Sequence, residues 1–199
     1  MANLEQKLQD AIWVGKVLFD RNKATGSSAN LSFLHGDKVY ITGSGTCFGN
    51  LTKDDFSVTD REGNHLSGIK ASKELPLHLS LYNKDPGIQA VLHTHSYYST
   101  VWSCLEHENQ VDVIPDYTPY LRMKLGTVGM IPYAKPGSPE LFKLFEERIN
   151  DSDGYLLQNH GPVIGDKNII AAFYVLEELE ESARIAIELR KETNAQLIK

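Results

Sequence analysis

Residues 88–95, Ile-Gln-Ala-Val-Leu-His-Thr-His, form the segment that most restricts the folds open to this chain. Ala90, Val91 and Leu92 make it apolar on both sides, which predicts a strand lying between covering layers of the protein. Side chains two apart on a strand leave the same face, roughly 6.5 Å apart along it, so His93 and His95 can close on one ion while Thr94 points away. A third histidine, His160, stands beside Gly161 and Pro162, where a turn exposes its ring. Three such ligands on a tetrahedral zinc leave one position for water, substrate or a carboxylate, the open arrangement of a catalytic site. Spacing does not decide the matter, because a histidine at a strand end is commonly a hydrogen-bonded structural residue and the chain has 7 histidines.

With 199 residues, 41% hydrophobic and 23% charged, residues 1–199 are read as one globular domain able to bury a sizeable core. The net charge of -6 and the lack of a Lys/Arg block argue against nucleic acid as the main partner. There is no basic-then-apolar amino terminus and no apolar run long enough to span a bilayer, so a cytoplasmic protein without a membrane partner is expected. Cys47 and Cys104 do not make a disulfide framework and are expected as reduced thiols, Cys104 in the core and Cys47 as filler in a glycine-rich loop.

Leu4, Leu8, Ile12, Gly15 and Leu18 recur at helical spacing and predict an opening amphipathic helix ending near residues 20–22. Residues 31–34 and 38–42 flank His35-Gly36-Asp37 as a hairpin, and residues 56–59 suggest another strand. A helix is predicted to begin at Ser72, which would cap its free amides, with Leu75, Leu79 and Tyr82 on its buried face. Residues 97–105 and 118–125 read as helices and residues 128–132 as a short strand. Residues 154–158 and 162–165 are expected as strands bracketing His160, and Asp166 as the cap of a long helix carrying Ile169, Phe173, Leu176, Ala183 and Ile187.

Three neutral imidazoles leave the full charge of an ion available to polarise a carbonyl, so a nearby acid-base group would complete a site. Glu74 is the candidate, although acidic residues in a first helical turn are common for dipole reasons. Glu74 and His78 are four apart, but without a flanking metalloprotease-type histidine this pair is read as packing, with His78 a hydrogen-bonded residue. The small-residue loops at 25–30 and 42–45 offer N–H groups to a phosphate, or are ordinary turns.

Taken together, the three histidines, Glu74, Ala24-Thr25-Gly26-Ser27, Cys47-Phe48-Gly49-Asn50-Leu51, Ser72-Lys73-Glu74, Thr118-Pro119-Tyr120 and Glu177-Glu178-Leu179-Glu180-Glu181 resemble the class II aldolase/adducin family over nearly the whole chain. Within that family the subgroup of 3-oxo-tetronate 4-phosphate decarboxylases is the most similar. The resemblance implies an α/β, three-layer fold with a central, mainly antiparallel sheet flanked by helices, assembled as a homotetramer with interfacial active sites. It implies one Zn2+ per subunit on His93, His95 and His160, with Glu74 as resting ligand and proton carrier. It places the substrate phosphate at Asn30, Ser44, Gly45 and Ser72. Lys73, where the sugar-phosphate aldolases carry a second serine, suits a more anionic substrate and pairs with its phosphate or its carboxylate. Tyr120 falls near the tyrosine that family aldolases use as a proton donor from a neighbouring subunit. Ala29 and Gly43 depart from the residues frequent in relatives.

The activity implied is zinc-dependent decarboxylation of 3-oxo-tetronate 4-phosphate to dihydroxyacetone phosphate and CO2, within sugar-acid catabolism. The alternative is a fuculose-phosphate-like aldolase that reaches the same enediolate by losing an aldehyde. A zinc hydrolase and a noncatalytic scaffold are the other classes considered, and retention of all three histidines argues against the scaffold.

Overall fold

The computed structural model describes residues 3–198. The amphipathic amino terminus forms helix α1 (Leu4–Asp20), capped by Asn3, whose side chain accepts from Gln6 N. Strands β1 (Asn30–His35) and β2 (Lys38–Thr42) then make the expected hairpin, with Gly36 at φ +62° in its turn. β3 (Phe56–Thr59) extends the sheet, and β4 (His65–Gly68), which the pattern did not predict, covers its edge.

Helix α2 (Leu75–Lys84) begins two residues later than expected if Ser72 were its cap. Glu74 occupies the cap position, and the Ser72 hydroxyl instead accepts from the Glu74 N–H ahead of the helix. The buried face is correspondingly shifted to Leu75, Leu77, His78, Leu81 and Tyr82, with Leu79 only partly buried. β5 (Ala90–His93) ends at His93, so His95 lies just beyond the strand rather than on it. α3 (Tyr97–Ser103) and α4 (Tyr120–Lys124) follow, then β6 (Val128–Ile131).

A helix absent from the sequence reading, α5 (Pro139–Arg148), starts at Ser138, whose side chain accepts from Leu141 N, with Pro139 in its first position. β7 (Gly154–Leu157) and β8 (Gly161–Asp166) bracket His160 as expected, and α6 (Ile169–Leu189) completes the fold. The cap of α6 is Asn168, not Asp166: Asp166 closes β8, and the Asn168 side chain accepts from Ala171 N. Cys104 is exposed at the end of α3 rather than in the core, because the helix turns Ser99, Trp102 and Ser103 inward and leaves position 104 outside.

The eight strands form one sheet in the order β4-β3-β2-β1-β5-β8-β7-β6, antiparallel throughout except for the β6–β7 pair. Its two faces carry separate cores. Leu31, Phe33, Ala90, Leu92 and Ile164 face Val14, Leu18, Phe173, Leu176 and Leu179 of α1 and α6. Leu34, Val91, Val163 and Tyr155 face Leu77, Leu81, Leu141 and Phe145 of α2 and α5. Alternation of Ala90, Val91 and Leu92 between these cores is the two-sided burial that the apolar run required. No helix among the described residues is long and apolar enough to cross a membrane.

Candidate metal centre

The register of the central strands sets the site. Asn30 opens β1 opposite His93 at the end of β5, and His93 in turn faces Val163 near the start of β8. Three chain segments therefore reach one end of the sheet together. His160 sits in the tight β7–β8 connection, where Asn159 adopts φ +55° and the His160 N–H bonds to Leu157 O at 3.1 Å. Asparagine tolerates this left-handed conformation better than most residues. Thr100 Oγ1 donates to the His160 carbonyl, tying the turn to α3.

His95 is held between β5 and α3, and α3 is anchored by a carboxylate from α6. Glu180 accepts from Tyr98 N at 2.9 Å, Ser99 N at 2.9 Å and Ser99 Oγ at 2.7 Å. Free amides at a helix start pair well with an anion, so this buried acid fixes the segment that follows His95.

The ring nitrogens of His93, His95 and His160 lie within 4.8 Å of one another. His93 Nδ1 donates to Pro162 O at 2.8 Å, which leaves its Nε2 with a lone pair directed at the cluster. Burial, reinforced by neighbouring His95, pushes the proton affinity of His93 down to about 3. Burial does the same for His160, also to about 3, and lowers His95 as well. All three rings are thus neutral donors near pH 7, the form a metal requires.

Glu74 is 4% exposed and faces this cluster, its oxygens 3.4 Å from His93 Nε2 and 3.6 Å from His160 Nε2. With the rings neutral these are not ion pairs, and the buried carboxylate has no lysine or arginine in contact among the described residues. His95 Nε2 is buried without a hydrogen-bond partner among the described residues, and the Nε2 atoms of His93 and His160 lie 3.3 Å apart beside Glu74. Orphaned ring nitrogens beside a buried carboxylate fit a divalent cation, which would supply the missing positive charge.

A cavity of about 180 Å³ opens onto these groups, lined by Asn30, Ser44, Gly45, Ser72, Lys73, Glu74, His95 and His160 among others. Every expected phosphate-contact residue therefore borders the same space. Among the described residues Lys73 is the only lysine or arginine on its wall, and its aliphatic stem lies against Gly137. Larger hollows exist, including one of about 570 Å³ beside Lys7 and Ile169, but no comparable group of metal donors lines it.

Tyr120 is different. It is 58% exposed at the start of α4 and does not border the cavity of its own chain. Ser27 and Ser28, from the 25–30 loop that the sequence offered for a phosphate, also line the cavity, as does Pro136, which sequence reasoning missed. The Lys-Pro-Gly-Ser composition at 135–138 marks a turn but carries no signal of where that turn will lie. It also missed that Asn30 is already engaged: Asn30 Nδ2 donates to Glu74 Oε2 at 3.0 Å, and Asn30 Oδ1 accepts from His78 at 2.6 Å. One amide hydrogen of Asn30 is left for a ligand.

A profile of the class II aldolase and adducin N-terminal domain matches residues 9–187. The 3-oxo-tetronate 4-phosphate decarboxylase of Escherichia coli O6:H1 is 40% identical over 186 residues, covering 92% of this chain and 88% of its own. The L-fuculose phosphate aldolase of Methanocaldococcus jannaschii is 37% identical over 177 residues, covering 88% of this chain and 93% of its own. The crystal structure of YgbL from Escherichia coli superposes with a TM-score of 0.93 at 36% identity, covering 99% of this chain and 96% of that one.

Proposed function

This chain belongs to the class II aldolase and adducin family, and from that premise we propose that it decarboxylates 3-oxo-tetronate 4-phosphate to dihydroxyacetone phosphate, using zinc held by His93, His95 and His160. The observation that carries the reading is the meeting of three neutral imidazoles and one buried carboxylate at a polar cavity. The choice of substrate follows relatives of that name, among them the Escherichia coli K12 and Haemophilus influenzae proteins at 39% and 37% identity.

A zinc ion so held supplies a Lewis acid for the negative charge left on the substrate when CO2 departs. The rest belongs to the chain. Ser44, Gly45, Ser72 and the free amide hydrogen of Asn30 bind the phosphate through hydroxyl and N–H donors. Lys73 pairs with substrate anionic charge; its ammonium already acts on the site, since it opposes protonation of both His95 and His160. The bond between C1 and C2 breaks with its electron pair remaining on the C2–C3 unit, and C2 then needs one proton. Glu74, taking that proton from water, is the group that would pass it to C2, being buried, hydrogen-bonded by Asn30 and next to two of the histidines.

Tyr120 acts, in this reading, at the site of a neighbouring subunit of a homotetramer, where it positions substrate or protonates carbon. Its exposure on α4, together with that of the still more exposed Met123, is what such an interface residue requires. The enzyme is cytoplasmic, where phosphorylated sugar acids are made and retained.

The test is incubation of zinc-loaded protein with 3-oxo-tetronate 4-phosphate, following dihydroxyacetone phosphate by a coupled NADH assay, with a metal-stripped control. Zinc-dependent product from the oxo acid is expected. Product only from a sugar 1-phosphate run in parallel would reassign the chain to the aldolases. Glu74→Gln is expected to keep most of the zinc and lose most turnover, and unchanged turnover would defeat its proton-carrying role.

A further inference from the structure

Behind the metal-facing groups lies a second polar cluster, running from Tyr82 through Ser32 and His78 to Asn30 between β1 and α2, with every member buried. The Tyr82 hydroxyl is 2.6 Å from Ser32 Oγ, and Ser32 Oγ is 2.7 Å from His78 Nδ1. His78 Nε2 is 2.6 Å from Asn30 Oδ1, and Asn30 Nδ2 is 3.0 Å from Glu74 Oε2.

The direction of each bond is forced. Asn30 turns its amide nitrogen to Glu74 Oε2, which accepts from it, and so turns its carbonyl oxygen to His78. That oxygen only accepts, so His78 carries its proton on Nε2. Complete burial, with His93 nearby, pushes His78 down to about 3 and keeps the ring neutral, so Nδ1 must accept. Ser32 therefore gives its one proton to His78, and Tyr82 donates to Ser32. Reversing any link sets lone pair against lone pair among buried groups.

We propose that His78 is a positioning residue for Glu74, its Nε2–H selecting one of the two rotations of the Asn30 amide, which in turn holds the Glu74 carboxylate at the metal-facing histidines. This rests on the reading of Glu74 given above. Without the His78 donor Asn30 Oδ1 is buried with no partner, and the amide is held from the Glu74 side alone. Hydrophobic residues would fill the space between β1 and α2 without a chain of partners to satisfy, so packing alone does not account for a polar cluster here. The alternating donors and acceptors, ending on the one carboxylate in the cavity, do. Asn30 also keeps a second amide hydrogen on the cavity side, so the same rotation that serves Glu74 presents a donor to substrate.

The experiment compares His78→Met, His78→Gln and Ser32→Ala with the unaltered protein in chelator competition for zinc alone, and then in kcat, KM and thermal unfolding. His78→Met is expected to weaken zinc retention and lower kcat on the order of 10–100-fold, as loss of a group supporting a ligand does. KM should stay within about threefold. His78→Gln keeps an amide N–H for Asn30 Oδ1 and is expected to recover most of both losses. His78→Met with unaltered zinc retention and kcat and only a lowered Tm would overturn the proposal, as would His78→Gln impaired as severely as His78→Met. If His78→Met does not fold, Ser32→Ala decides. It frees Nδ1 and lets the ring proton leave Asn30, so unchanged zinc retention and kcat would overturn the proposal. An unaltered protein that fails to bind zinc would refute the metal reading itself, before any variant is compared.

Discussion

Gly161→Ala is a severe test of how the site is assembled. A Cβ built on Gly161 would lie 2.3 Å from the Thr94 carbonyl oxygen and 3.3 Å from His95 Cα, both backbone atoms that cannot swing aside. Real Cβ atoms do not approach within 3.0 Å, so β8 and the segment following β5 must part by at least about 0.7 Å. That gap opens between His93 and His95 on one side and His160 on the other. Ligand distances in metal sites tolerate only about 0.2 Å, so the shift is more than three times what coordination allows. Overpacking of this kind costs about 1–3 kcal/mol, and each kcal/mol lowers Tm by about 2–4 °C in a chain of this length. The expected result is loss of tight zinc binding in chelator competition, at least tenfold, with a folded protein by circular dichroism and a Tm lower by several degrees. Gly36→Ala, in the β1–β2 turn with φ +62° and nothing within 4 Å of the added carbon, isolates the backbone penalty and should leave zinc binding alone. Gly161→Ala that holds one zinc per chain with unaltered affinity would refute the account of the site as a close meeting of β5 and β8.

Other outcomes follow from the same geometry. His78 has a proton affinity depressed in the folded state to about 3 against 6.5 when exposed, so its contribution to stability is complete above pH 6.5 and is lost as pH falls toward 3. In metal-free protein, urea unfolding should therefore show the unaltered chain losing about 2 kcal/mol more than His78→Gln between pH 7 and pH 5. An equal loss in both would show that the ring is protonated in the folded state. Glu180→Gln replaces one accepting oxygen with an amide that confronts the α3 N–H groups, and should cost about 1–3 kcal/mol in thermal unfolding. Stripping the metal from protein held at about 100 times the dissociation constant should remove about 2.7 kcal/mol of stability, restored by zinc in a calorimetric scan.

Much of this architecture is legible in periodicity. Leu4 to Leu18 and Ile169 to Ala183 repeat at helical spacing because each helix buries one stripe on the sheet, and the alternating cores at Ala90, Val91 and Leu92 declare a covered strand. β4 was not legible: its four residues are all exposed at a sheet edge, so no apolar alternation marks them. α5 escaped because the Ser138-Pro139 start resembles the end of the preceding turn, and its buried contacts reduce to Leu141 and Phe145. Two helix starts were displaced: α2 begins after Glu74, whose carboxylate turns to Asn30 and makes no cap bond, and α6 after Asn168, which takes the capping role expected of Asp166.

At the site, the histidine spacing foretold the meeting of His93, His95 and His160, although His95 reaches it from beyond the strand. Glu74 was legible as an acid before a helix, but its bond to Asn30 was not, because it joins positions 44 apart. The same holds for the anchoring of α3 by Glu180, which spans about eighty positions and has no local signature. Tyr120 is the opposite case: its motif is local and plain, while the single chain leaves it away from the cavity.

The pairing of Asn30 with His93 and of His93 with Val163 has a bearing on the order of events in the life of the chain. His160 follows His93 by 67 positions, so at about 5–20 residues per second it leaves the ribosome about 3–13 s later. Throughout that interval the first two imidazoles have no third partner, and the strand that brings one does not yet exist. The three-histidine group therefore cannot be complete until seven of the eight strands have been synthesised, so any ion it holds is taken up late in the making of the chain.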